Sequence, residues 1–125
     1  MSQKILIVED DHDILGILTD VLKQEGYEVT GLDYTDSIIN SITQYTPDLV
    51  MLDFLLAGVN GGELCHEIKE HKDYAGLPVI ILSAFPRVLD SLGNYGADMF
   101  IAKPFDIADL ISKVQDCIES RMAHA

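Results

Sequence analysis

The chain has 125 residues, enough for one hydrophobic core, and 48% of them are apolar, which excludes a disordered tail. Its 21 acidic and 8 basic residues leave a net charge of -13, a field that repels phosphates and argues against direct contact with DNA, RNA or anionic lipid. The N-terminus lacks a signal-peptide pattern and no apolar run is long enough to span a bilayer, so no membrane contact and a cytoplasmic location are expected.

Lys4 to Val8 is a short, nearly continuous apolar run, as expected of a strand buried on both faces. From Asp11 to Glu25 the period changes: Ile14, Ile17, Leu18, Val21 and Leu22 recur at helical spacing, and Gly26 supplies the stop. Val29 to Leu32 reads as a second strand. Ser37 to Gln44 reads as a helix capped by Asp36 or Thr35, with Ile38, Ile39 and Ile42 inward. Leu49 to Leu52 is the most hydrophobic strand. Asp53 to Gly62 reads as a Gly-rich loop with turn chemistry at Asn60-Gly61-Gly62, followed by a helix from Glu63 to His71. Val79 to Leu82 and Met99 to Ala102 are the fourth and fifth strands. Asp106 caps a final helix whose buried stripe is Ile107, Leu110, Val114 and Cys117 or Ile118, and Met122 to Ala125 reads as a loose end. Cys65 and Cys117 read as two reduced thiols, since neither has neighbours at metal spacing.

Strands thus alternate with helices at intervals of about 20–25 residues, the mark of right-handed βαβ units and one parallel sheet with helices on both faces. Strand ends of such a sheet open on one edge, where ligands bind. Here those ends carry Glu9-Asp10, Asp53, Ser83 and Lys103 in turn. Asp53 could be a metal ligand, a nucleophile or only a helix cap. Glu9 and Asp10 would sit beside it, and packed carboxylates repel one another unless a dication such as Mg²⁺ relieves them. With the metal present, Asp53 can attack phosphorus, Lys103 can neutralise one phosphoryl oxygen and Ser83 can donate to another.

Five stretches together resemble the response-regulator receiver domain, the aspartate-phosphorylated module of two-component signalling. They are Lys4 to Asp11, Pro47 to Asp53, Pro78 to Ala84, Gly96 to Asp98 and Lys103 to Phe105. The resemblance covers essentially the whole chain, as a single domain over 1–125. It implies a doubly wound, flavodoxin-like α/β fold with a five-stranded parallel sheet in the order 2-1-3-4-5. It also implies that Asp53 accepts a phosphoryl group from a histidine kinase or phosphotransfer protein and that a downstream protein effector reads the result. Asp10 would hold Mg²⁺ directly, Glu9 through water, and the main-chain carbonyl of Leu55 would complete the ligands beside Asp53. Ser83 and Lys103 would bind phosphoryl oxygens, Ser83 and Phe100 would form the moving switch, and the Lys103–Pro104 bond would be cis.

Some positions depart from the family pattern. Ala57 stands where a proline is usual, and the segment from Phe85 to Gly96 is short and carries Gly93, so a short or frayed helix is expected there. Leu55 and Phe85 flank the expected pocket mouth, where apolar side chains would exclude an attacking water and prolong the phosphoryl state. Leu15, with Ile14 and Ile17, could dock a helical phosphodonor. A monomer or an activation-linked homodimer is expected. Two other readings are weighed against this one. An aspartyl-nucleophile phosphatase of the haloacid-dehalogenase-like group needs a second Asp two residues after the first, and position 55 is Leu. A phosphorylation-independent interaction module is disfavoured because every site position holds a suitable residue. Self-modification, not turnover of a diffusible substrate, is therefore expected.

Overall fold

The apolar runs become the strands, and their register brings the acidic and basic strand ends together. A computed structural model describes residues 2–56, 58–84 and 95–123. In chain order the elements are β1 (Lys4–Val8), α1 (His12–Gln24), β2 (Glu28–Leu32), α2 (Ile38–Tyr45), β3 (Leu49–Asp53), β4 (Leu55–Leu56), β5 (Val59–Asn60), α3 (Gly61–Glu70), β6 (Val79–Ser83), β7 (Met99–Ala102) and α4 (Ile107–Ala123). Five strands form one sheet in the order β2-β1-β3-β6-β7, parallel throughout. This is the expected 2-1-3-4-5 order, because β4 and β5 form a separate antiparallel ribbon in the loop after Asp53. The ribbon was not expected, since two-residue strands are too short to show a period. Ala57 and the segment 85–94, with Phe85 and the short helix expected there, lie outside the described residues.

Central strands β3 and β6 are buried at every position, which is why their sequences run apolar without alternation. Side chains alternate across the sheet. Ile5, Ile7, Leu49, Met51, Ile80 and Leu82 face α1 and α4, where Leu18, Leu22, Leu110 and Val114 close the core. Leu6, Val8, Val50, Leu52, Val79 and Ile81 face α2 and α3, where Ile38, Ile42, Leu64, Cys65 and Ile68 close the other. Each fully buried aliphatic side chain contributes about 1.5–3 kcal/mol of transfer free energy. Both cysteines are free and buried, and burial pushes the Cys65 thiol up to about 12 and the Cys117 thiol up to about 11, so both stay as unreactive thiols.

Several local expectations need correction. Ser37, not Asp36 or Thr35, caps α2, its hydroxyl accepting from the Asn40 N–H at 3.2 Å. The Asp36 carboxylate instead accepts from the Tyr34 hydroxyl at 2.6 Å, and Thr35 pairs with Ser41. Helix α3 starts at Gly61, two residues early, because the Asn60 side chain caps it by accepting from the Glu63 N–H at 2.9 Å. Ile107 is 46% exposed and does not belong to the buried stripe assigned to it, and Ile17, at helical spacing in α1, is 47% exposed. Ile107 opens its helix, ahead of the turns that pack on the sheet. Helix α4 continues through Met122 and Ala123, so the loose end expected from Met122 is helical for two more residues.

Candidate functional site

Parallel pairing fixes how far each strand end reaches. Val8 lies level with Leu52, Asp53 with Leu82, and Ser83 with Ala102. The backbone ladder continues one step past the strands: Glu9 N–H donates to Leu32 C=O at 2.9 Å, Phe54 N–H to Leu82 C=O at 2.8 Å, and Lys103 N–H to Ser83 C=O at 2.8 Å. These bonds hold Glu9, Asp53, Ser83 and Lys103 on one edge of the sheet.

The side chains converge there. The Lys103 ammonium donates to Asp53 Oδ1 at 3.0 Å and to both Glu9 oxygens at 3.0 and 3.2 Å. Carboxylate oxygens of Glu9, Asp10 and Asp53 lie within 4.8 Å of one another. Glu9 is fully buried, Asp53 is 7% exposed, Ser83 is 3% exposed, and Asp10 faces solvent. Asp11 turns away and caps α1, accepting from the N–H groups of Asp13 and Ile14. Of three consecutive acids, two therefore reach the cluster.

Burial drives the electrostatics. Desolvation raises the Glu9 carboxyl to about 7; the hydrogen bond from Lys103 opposes this and the neighbouring Asp53 charge adds to it. Burial alone would lower Lys103, but its hydrogen bonds to Glu9 and Asp53 outweigh that and hold the ammonium above the ordinary lysine value. Three crowded hard-oxygen donors beside one amine suit a small divalent cation, with the exposed Asp10 side open to water.

The Phe54 backbone, directly after Asp53, is clamped. Gly61 N–H donates to Phe54 C=O at 2.7 Å. A Cβ on Gly61 would run into the Asp53 carbonyl, so only glycine lets α3 start against this strand end. The sequence marks Gly61 only as a turn residue; a glycine eight positions after the candidate acceptor is the available signal.

Leu55 opens β4 with its side chain 53% exposed. Phe100 lies in β7, half-buried against the α2/α3-side core. The Lys103–Pro104 bond is cis, as the resemblance implied. Ile14 and Leu15 are half-buried and packed on the α1/α4-side core. Leu15 Cδ1 lies over Gly31, 2.9 Å from where a Cβ would stand. Of the three docking candidates only Ile17 is well exposed. A surface cavity of about 600 Å³ lies at the other end of the sheet, lined in part by Pro47, Asp48, Tyr74 and Arg121, away from these carboxylates.

A family model described as the response regulator receiver domain matches residues 5–115. The DNA-binding response regulator MtrA of Mycolicibacterium paratuberculosis is 34% identical over 117 residues, which cover 92% of this chain and 51% of that protein. The chain thus spans about half the length of the curated relatives it matches, and their DNA-binding description leaves the expectation of no nucleic-acid contact without support. A CheY-like response regulator receiver domain protein from Methanospirillum hungatei JF-1 has a TM-score of 0.86 at 28% identity, with 100% of both chains covered. The response regulator TrrA from Thermotoga maritima, in complex with Mg(2+)-BeF, has a TM-score of 0.82 at 29% identity, covering 92% of this chain and 98% of that one. With the strand order, the acidic cluster and the lysine in place, these matches identify the chain as a member of the response regulator receiver domain family of two-component systems.

Proposed function

We propose that this receiver domain is a phosphorylation-dependent switch that takes a phosphoryl group onto Asp53 from a histidine kinase or a phosphotransfer protein. The observation that carries the reading is the ammonium of Lys103 bridging the Asp53 and Glu9 carboxylates on the ligand-binding edge of the sheet. An Asp53 oxygen attacks phosphorus in line with the leaving imidazole nitrogen; the O–P bond forms as the P–N bond breaks. Lys103 then exchanges a carboxylate contact for a phosphoryl oxygen. Ser83, buried at the end of β6, supplies a hydroxyl donor to another, and N–H groups beyond Asp53 serve the rest.

Mg²⁺ fits the donor set: Glu9, Asp10, Asp53 and the Leu55 carbonyl would hold it, and when bound it neutralises charge between nucleophile and phosphoryl oxygens. Exposed Leu55 flanks the site and excludes an attacking water; Phe85, outside the described residues, is given the same role. Ile17, with Ile14 and Leu15 beneath it, contributes an apolar contact for the phosphodonor. Movement of Ser83 and Phe100 changes the surface offered to a protein effector. The reaction is self-modification, without turnover of a diffusible substrate. The whole chain acts as one cytoplasmic domain, as a monomer or a homodimer on activation. No described helix is long and apolar enough to cross a membrane.

The test is intact mass after incubation with a small-molecule phosphodonor, with and without Mg²⁺. The parent should gain one phosphoryl mass only with Mg²⁺, and Asp53→Ala should gain none. Equal uptake by Asp53→Ala would overturn the assignment.

A further inference from the structure

Tyr95 stands at the start of the described stretch that leads through Gly96, Ala97 and Asp98 into β7. Its ring rests on Gly62 in the first turn of α3: a Cβ on Gly62 would lie 2.8–2.9 Å from three ring carbons. The same ring meets Phe54 edge-on, with centroids 6.1 Å apart and planes at 62°, a favourable aromatic geometry. Phe54 directly follows Asp53; its N–H donates to Leu82 C=O and its C=O accepts from Gly61 N–H. Tyr95, Phe54 and Phe100 all pack on the α2/α3-side core. At its far end the lead-in is pinned as well, because Asp98 accepts from the Val79 N–H at 2.8 Å and from Lys69 at 2.7 Å. The aromatic seat is therefore a direct side-chain link from the residue after Asp53 to the segment that enters β7.

We infer that Tyr95 is a positioning residue through which a change at Asp53 reaches β7, by way of its ring seated on Gly62 and against Phe54. The inference rests on the phosphoacceptor reading above and adds the route by which that site is read. A shift of the Asp53–Phe54 peptide moves the Phe54 ring, and close packing leaves Tyr95 no room to stay still. The missing Cβ at position 62 makes the contact possible. A methyl group there displaces the ring without altering Tyr95 itself.

The experiment compares the parent with Tyr95→Ala, Gly62→Ala and Tyr95→Phe, each titrated with beryllofluoride and Mg²⁺. Calorimetry reads binding, and amide NMR shifts of Met99 to Ala102 read the β7 response. Parent and Tyr95→Phe should bind and respond alike. Tyr95→Ala and Gly62→Ala should bind with the parent's affinity while the β7 response falls by at least half. A full β7 response in both variants overturns the inference. So does loss of binding together with the response, which would make the ring a support for the fold. A parent that fails to bind overturns the phosphoacceptor reading itself, a result distinct from a parent that binds beside variants that still respond.

Discussion

The Lys103 ammonium lies 3.0 Å from Oδ1 of Asp53, across a separation of 50 residues in sequence. The same nitrogen satisfies both oxygens of the fully buried Glu9. One amine thus offsets two carboxylates where little water can reach them.

Replacing Lys103 tests that arrangement directly. Lys103→Met leaves Glu9 buried with its cation gone, so the metal-free protein should lose about 3 kcal/mol of stability at neutral pH, the scale of a broken buried pair. Urea denaturation in the presence of a chelator measures it. Adding Glu9→Gln should recover much of the loss, since the uncompensated charge is removed. Strictly additive single and double variants would show that the contact is energetically idle.

The pH dependence of the metal-free protein follows from Glu9. Its folded value is raised to about 7 from an ordinary 4.5, first by burial. Between those values the folded state keeps a proton that the unfolded chain has released. The Glu9 contribution is therefore fully present below 4.5 and is lost as pH rises through about 7. A loss of roughly 1–3 kcal/mol is expected across this window. Urea midpoints in chelator should fall from acid to neutral pH in the parent and stay flatter in Glu9→Gln. A slope unchanged by the substitution would place the titrating group elsewhere.

Gly61→Ala puts a methyl group into the Asp53 carbonyl. Backbone must move, at an expected cost of about 1–3 kcal/mol, typical of overpacking. The strand end shifts with it, so phosphoryl uptake should slow by more than the stability loss explains. Denaturation together with the initial rate of mass gain checks this. A variant as stable and as fast as the parent would show that α3 can start elsewhere.

Leu55→Asn separates lifetime from folding. The side chain is 53% exposed, so stability should change by no more than about 0.5 kcal/mol. The half-life of the phosphorylated form should shorten several-fold as the new amide orients an attacking water. Phe85→Glu is expected to act in the same direction. Unchanged decay in both variants removes these side chains from control of hydrolysis.

Much of this architecture can be read along the chain because parallel βα units carry their own instructions. Continuous apolar runs mark doubly covered strands, and the residue after each run must lie on the ligand edge. That local logic suffices for Glu9, Asp53, Ser83 and Lys103, which need only strand order and register to meet. It also sets Glu9-Asp10, at the strand end, apart from Asp11, where the helical period begins; in the structure Glu9 and Asp10 reach Asp53 and Asp11 takes the cap. Helical spacing does not tell which end of a stripe is covered. Ile17 and Ile107 match the period yet stay exposed, while Leu15 packs over the space left by Gly31. The β4–β5 ribbon, the Gly61 clamp and the seat of Tyr95 on Gly62 depend on segments that meet only when the helices dock. Periodicity assigns a residue to a face, but the close approach of two backbones is settled by packing between elements distant in sequence.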